Sequence, residues 1–234
     1  MLFRSSFGGA LLPVESIVRN SQDAELATYV IEWMGDFRPA EMADTEPICF
    51  QGTAFAYRNS RHLITCDHVL RGTVRIDGGS AEVDIQDSRV TLRSMVIINP
   101  ASGGDERSVT IVARNKDRDL ALLATCEYVL PRHFSGLESP LNRNERAMLI
   151  GYPNWSPGRM ANQASVQVLS RYSRSALSRF EISTNIRQGN SGGPVVDLQF
   201  RLAGVAQQGS TQSAGNDECL CVSEVDAWVK SILR

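Results

Sequence analysis

The sequence predicts an all-β fold, a barrel or a sandwich. Short runs of alternating apolar and polar residues recur along most of the chain, and Gly, Asp, Asn and Pro clusters separate them. With 42% apolar residues among 234, the chain can fill one large all-β unit or two smaller ones around a sizeable core.

Taken in order, the N-terminal stretch departs from this pattern. Ser21 or Asp23 offers a cap, Leu26, Val30, Trp33 and Met34 recur at helical spacing, and Gly35 offers a stop, so a helix is expected there. Its expected role is to pack on the main domain, and docking a partner is the alternative. Pro39, Pro47 and several acids mark Phe37 to Pro47 as a linker. From Ile48 the alternation begins, with Thr53, Phe55 and Tyr57 opposed to Ala54 and Ala56, then Ala81, Val83 and Ile85 opposed to Glu82 and Asp84. Further strands are expected at Val109–Arg114, Leu120–Thr125, Ala147–Gly151, Ala164–Leu169, Phe180–Thr184, Pro194–Leu198 and Leu202–Gln207. Asp77-Gly78-Gly79, Ser102-Gly103-Gly104 and Asn154–Gly158 supply turns. A closing helix is expected where Ser223 and Asp226 have capping-box spacing and Val225, Trp228, Val229, Ile232 and Leu233 form one apolar stripe.

Charge and cysteine content narrow the function. The formal charge is −2, without the basic surplus of a nucleic-acid-binding domain, and no apolar run is long enough for a membrane helix. The stretch from Met1 to Val14 is interrupted by Pro13 and lacks the makings of a secretory signal. Five cysteines, an odd number without close-set spacing, fit free thiols in a reducing compartment, so a cytoplasmic location is expected.

Three local patterns carry chemistry. An apolar strand runs into a histidine in Thr65-Cys66-Asp67-His68-Val69. An acid opens a buried strand in Asp119-Leu120-Ala121-Leu122-Leu123. A serine sits in a glycine-rich turn in Gly189-Asn190-Ser191-Gly192-Gly193-Pro194. Acyl transfer by serine needs these parts. The hydroxyl is a poor nucleophile until a base takes its proton, and imidazole suits that role near neutrality. A carboxylate on the far ring nitrogen fixes the tautomer, and converging main-chain N–H groups, here those of Gly189 and Ser191, stabilise the oxyanion.

The order His68, Asp119, Ser191 and these three motifs resemble trypsin-like serine proteases, and the Gly-Asn-Ser-Gly-Gly-Pro form is similar to the bacterial HtrA/Deg branch. The resemblance covers Ile48 to the C-terminus. It implies two packed six-stranded-type β-barrels, flanked by the N-terminal and C-terminal helices. Residues 1–46 would form an extension, 47–135 a first barrel with His68 and Asp119, and 136–234 a second barrel with Ser191. It further implies a protein or peptide substrate, no cofactor and no metal, with Gly189 and Ser191 as the oxyanion hole. Asn185 would mark the floor of the side-chain pocket, and Gln207, Gln208 and Gly209 would lie on the strand that pairs with substrate. Asn190 stands where digestive members carry the Asp that pairs with a new N-terminus, so activity without chain cleavage is expected. With 43 residues after Ser191, the PDZ domain of many HtrA proteins is not expected.

Competing roles were weighed for several residues. Asp67 is expected to be a local or surface group, because adjacent strand residues face opposite ways. His62, Cys66 and His68 lack a fourth zinc ligand and would consume the base. Cys219 and Cys221 are expected to be core thiols. Arg171, Arg174 and Arg179 fall where HtrA-like proteins have a regulatory loop, and a solvated flexible loop is expected, with an activating contact to an acidic partner or an anion as the alternative. A protease-shaped module that binds a partner without cutting it is the rival to the enzyme.

Overall fold

The computed structural model describes residues 16–39, 44–76, 79–183, 186–208 and 217–234. After a short helix, α1 (Ser21–Leu26), the chain forms strands β1 (Thr28–Phe37), β2 (Glu46–Ala56) and β3 (His62–Thr65). A hairpin of β4 (Arg71–Ile76) and β5 (Gly79–Asp84) follows, then β6 (Val90–Ile98), β7 (Glu106–Asn115) and β8 (Leu120–Thr125). The second half contains β9 (Arg146–Gly151), β10 (Asn162–Arg174), β11 (Leu177–Ile182), β12 (Pro194–Val196), β13 (Leu202–Gln208) and β14 (Asp217–Cys221), and ends in α2 (Val222–Ile232). Antiparallel pairing closes two six-stranded barrels, in the orders β1-β2-β3-β8-β7-β6 and β10-β11-β14-β13-β12-β9. The expected all-β, two-barrel architecture with a helix near each end is therefore present.

The N-terminal expectation needs correction. The helix is six residues long and is capped by Asn20, whose side chain accepts from the Asp23 N–H, not by Ser21 or Asp23. From Thr28 the chain is a strand. Tyr29, Ile31, Trp33 and Phe37 alternate into the first barrel's core, all at most 1% exposed. That period-2 set coexists with the helical set, and the aromatic and β-branched residues that fill it fit a half-buried pleated surface. The first barrel thus begins at residue 28, upstream of the expected boundary at residue 47. Gly35 lies inside β1, where the pairing with β6 shifts register.

α2 starts where expected but without a capping box: its N-cap is Cys221, which makes no side-chain cap bond. Asp226 instead accepts from Tyr57 Oη and from Arg58 Nε (2.7 Å) and Nη2 (2.6 Å), joining the C-terminal helix to the end of β2. Val222, Val225, Trp228 and Val229 are buried, as the apolar stripe requires. The Arg171–Arg179 segment is a tight hairpin in place of a loop. Ser175 and Ala176 turn it with φ of 52° and 62°, the left-handed pair that suits a two-residue connection.

Candidate active site

His68 sits on a 3-10 turn, Asp67–Leu70, that leaves β3 at the mouth of the first barrel. Asp119 ends the turn between β7 and β8 with a left-handed φ of 52°. The Asp119 carboxylate grips His68 twice. Oδ1 accepts the His68 main-chain N–H at 2.8 Å, and Oδ2 lies 2.6 Å from Nδ1. A carboxylate can only accept, so Nδ1 carries the proton and Nε2 is left as the acceptor.

Ser191 comes from the other barrel, in the turn before β12. It and His68 line one cleft of about 610 Å³ with Asp119. The three sequence-predicted groups are therefore brought together. The Ser191 hydroxyl donates to the Gln207 carbonyl at 3.3 Å, and no bond to His68 is formed among the described residues.

The serine turn is built from glycine conformations and cross-barrel bonds. Gly189 has a φ of 95°, and a Cβ there would come within 2.4 Å of the Tyr152 carbonyl; at Gly192, φ is 83° and a Cβ would meet the Thr53 carbonyl at 2.2 Å. The Asn154 N–H donates to the Gln188 carbonyl at 3.0 Å. In a trans peptide the next N–H points the opposite way, so the Gly189 N–H faces away from Asn154. Neither Gly189 N–H nor Ser191 N–H donates to a main-chain carbonyl among the described residues. These are the two donors an oxyanion would need.

Sequence reasoning missed Thr53, which fastens the turn from the first barrel. Its hydroxyl donates to the Gly189 carbonyl (2.6 Å) and accepts from the Tyr152 N–H (3.0 Å), while its own N–H reaches the Ser191 carbonyl at 2.9 Å. Asn190, 3% exposed, has an Oδ1 with no hydrogen-bond partner among the described residues.

Gln207 lies on β13, the strand expected to pair with substrate, and lines the cleft; the residue is only 3% exposed, and its side chain bridges the barrels. Nε2 donates to the carbonyls of Arg118 (2.6 Å) and Asp119 (3.1 Å), and Oε1 accepts from Arg179 Nη1 at 2.7 Å. That bridge holds the left-handed Asp119 from behind. Gln208 is exposed beside the cleft, whereas Asn185 and Gly209 lie outside the described residues.

Of the two roles expected for Asp67, the local bonding group holds and the surface group does not: it is fully buried and pairs with Arg114 Nε (2.5 Å) and Arg71 Nε (3.0 Å). Arg114 reaches onward to Asp84 at 2.6 and 2.8 Å, tying the β4–β5 hairpin to the histidine turn. The 3-10 geometry of Asp67 breaks the strand alternation on which the expectation rested.

The Cys66, His68 and Asp119 ligand atoms lie within 4.8 Å of one another. The Cys66 thiol, however, donates to the Ala206 carbonyl, and burial raises its pKa well above the ordinary 9.0, so it stays protonated. His62 is not in that group; its Nδ1 faces Asn59 Oδ1 at 3.0 Å. Cys219 and Cys221 are buried free thiols, and burial pushes the latter up to about 11.

A family model of the trypsin-like peptidase domain matches residues 52–205, which contain all three groups. The chain belongs to this family. Solved structures agree on the fold of the trypsin-like peptidase. The active form of the Rv3671c protease from M. tuberculosis has a TM-score of 0.65 at 17% identity, covering 98% of this chain and 94% of that one. The inactive form of Rv3671c gives 0.62 at 19%, covering 89% and 90%. The HtrA-type protease AlgW with a decapeptide gives 0.66 at 15%, covering 92% and 68%. No curated protein matches the sequence significantly.

Proposed function

We propose that this trypsin-like peptidase is a serine endopeptidase working through an acyl-enzyme. Ser191 Oγ attacks the scissile carbonyl as its proton passes to His68 Nε2, and the oxyanion forms against the N–H groups of Gly189 and Ser191. His68 then protonates the departing amine, the C–N bond breaks, and the acyl group remains on Ser191. Water, losing its proton to His68, cleaves that ester and restores the hydroxyl. Asp119 keeps the imidazole in the tautomer the cycle needs.

The observation that carries this reading is the pair of hydrogen bonds that Asp119 accepts from His68, in the cleft that also holds Ser191. The peptide bound in AlgW supports an extended peptide as substrate here, laid along β13 by strand addition. Asn190, which has no charge to pair with a new amino terminus, supports activity without chain cleavage. The free thiols support a cytoplasmic location as part of the same proposal.

The rival is a latent or non-cleaving module regulated by a partner in its cleft. It is favoured by one observation, the Ser191 hydroxyl resting on Gln207 and not on His68. Catalytic hydrogen bonds often tighten only with substrate bound, so this resting contact does not by itself separate the two readings. Ser191→Ala decides between them. Peptide hydrolysis should fall by roughly 10⁴-fold to 10⁶-fold with the fold intact. A folded wild-type chain that cleaves nothing in a broad peptide library, yet retains peptides, would establish the rival.

A further inference from the structure

The cleft beside Ser191 carries an unusual charge pattern. Its wall on the second barrel includes Arg174, Arg179 and Arg187 but only one acid, Glu218. Glu218 has both oxygens engaged. Oε1 accepts from Arg174 Nη2 and Arg179 Nη1, each at 2.5 Å, and Oε2 accepts from Tyr172 Oη. Two guanidinium groups thus share one carboxylate, and Arg187 adds a third cation to the same cleft. Arg179 is the extreme case: its side chain is 7% exposed, and its Nε finds no acceptor among the described residues. Burying a cation with a shared and incomplete counter-charge is costly unless another anion joins it. On the opposite wall Lys116 stands with Asp117, while Asp119 is committed to His68.

The cleft that holds Ser191 also holds Arg174, Arg179 and Arg187, so a peptide whose scissile carbonyl meets the Gly189 and Ser191 N–H groups sets a neighbouring side chain against this wall. That is where the guanidinium groups lie. We propose that this peptidase cleaves after acidic residues, Asp or Glu, with Arg179 and Arg174 as the buried and rim cations that select them. A Lys or Arg side chain would meet Glu218 with both oxygens already engaged and two guanidinium groups beside it. A neutral side chain would leave the surplus charge uncompensated. Planar guanidinium matches carboxylate geometry better than ammonium does, which suits Arg to this task.

The inference rests on the endopeptidase reading, and two measurements keep their failures apart. In the first, peptides differing only at the residue before the scissile bond (Glu, Asp, Gln, Leu, Arg) are compared by kcat/KM. Glu or Asp should exceed Gln by on the order of 10-fold to 10²-fold, with Arg the poorest, and the Glu-to-Gln ratio should shrink in high salt. Arg174→Ala should move that ratio toward one, and Arg179→Gln should do so further. Since Arg179→Gln could unfold the chain, the exposed Arg174→Ala stands as the variant that reads the charge alone. In the second, product peptides ending in Glu, Gln or Arg are titrated against Ser191→Ala, with Glu expected to bind tightest. Cleavage with Leu or Arg equal to or above Glu overturns the inference and leaves the endopeptidase. Preferential binding of the Glu product without any cleavage by wild type overturns the endopeptidase and retains the cationic pocket. Equal binding of all three products overturns the pocket on its own.

Discussion

Replacing Thr53 with Val tests how much of the candidate site is held in place from the other barrel. Valine keeps the branched shape and removes one hydroxyl. That hydroxyl serves two main-chain groups, the Gly189 carbonyl at 2.6 Å and the Tyr152 N–H at 3.0 Å, and Thr53 itself is fully buried. Each buried group left without a partner costs about 1–3 kcal/mol, so Thr53→Val should lose about 2–6 kcal/mol of stability. For a chain of this size that is a fall in Tm of roughly 5–20 °C, within the margin of a typical domain. The same loss frees the turn carrying both oxyanion donors, where a misplacement of about 1 Å lowers turnover on the order of 10²-fold. Urea unfolding and peptide hydrolysis, measured at a temperature where the variant is folded, give the two numbers. Thr53→Ser, which keeps the hydroxyl, should recover most of both. Wild-type stability and turnover in Thr53→Val would refute the idea that this hydroxyl braces the serine turn.

Removing Arg114 as Arg114→Ala leaves the fully buried Asp67 with Arg71 alone, and should cost about 3 kcal/mol in denaturant unfolding; an unchanged midpoint would contradict the bridge. Acid should destabilise the fold through Asp84 and Asp226. Burial pushes both carboxyls up, but the Arg114 fork on Asp84, and the Arg58 and Tyr57 donors on Asp226, outweigh it and hold both below the ordinary 3.8. Groups depressed in this way contribute stability that is present above their unfolded pKa and is lost as pH falls through the folded one. Unfolding midpoints should therefore drop below about pH 4, with Asp226→Asn flattening part of that slope. Thiol reagents should spare peptide hydrolysis, since Cys66 is buried and held well above its ordinary pKa; inactivation through Cys66 would contradict the assignment of Ser191 as nucleophile.

Most of the barrel architecture could be read from the sequence because short apolar runs bounded by turn residues mark buried strands, and β8, β9 and β13 fall close to the expected runs. β1 defeated the same method. Leu26, Val30, Trp33 and Met34 fall by coincidence on a helical face, while Tyr29, Ile31, Trp33 and Phe37 are the set that packs. Only membership in a closed barrel decides between the two periods. β6 gave little signal because its first half, Val90 to Ser94, is mixed in polarity and largely exposed, and only Met95 to Ile98 are buried.

The candidate site divides along similar lines. His68, Asp119 and Ser191 stand in motifs of a few residues and were legible. Their supports were not, because each acts across the fold. Thr53 reaches Gly189 over 136 positions, Gln207 reaches Asp119 over 88, and Arg179 reaches Glu218 over 39. No local spacing encodes such contacts. The arginines of the β10–β11 hairpin, with their interleaved serines, read in the sequence as a solvated loop. In the fold, pairing with β14 turns Arg179 inward against Glu218 and Gln207.

The central claim is that Ser191 Oγ becomes a nucleophile when His68 takes its proton. Treating the chain with a fluorophosphonate and locating the adduct by mass spectrometry tests this directly. The account predicts one adduct per chain, on Ser191, formed rapidly in wild type and slowed by several orders of magnitude in His68→Gln. A folded chain that takes up no label, or labels at the same rate without the imidazole, would contradict it.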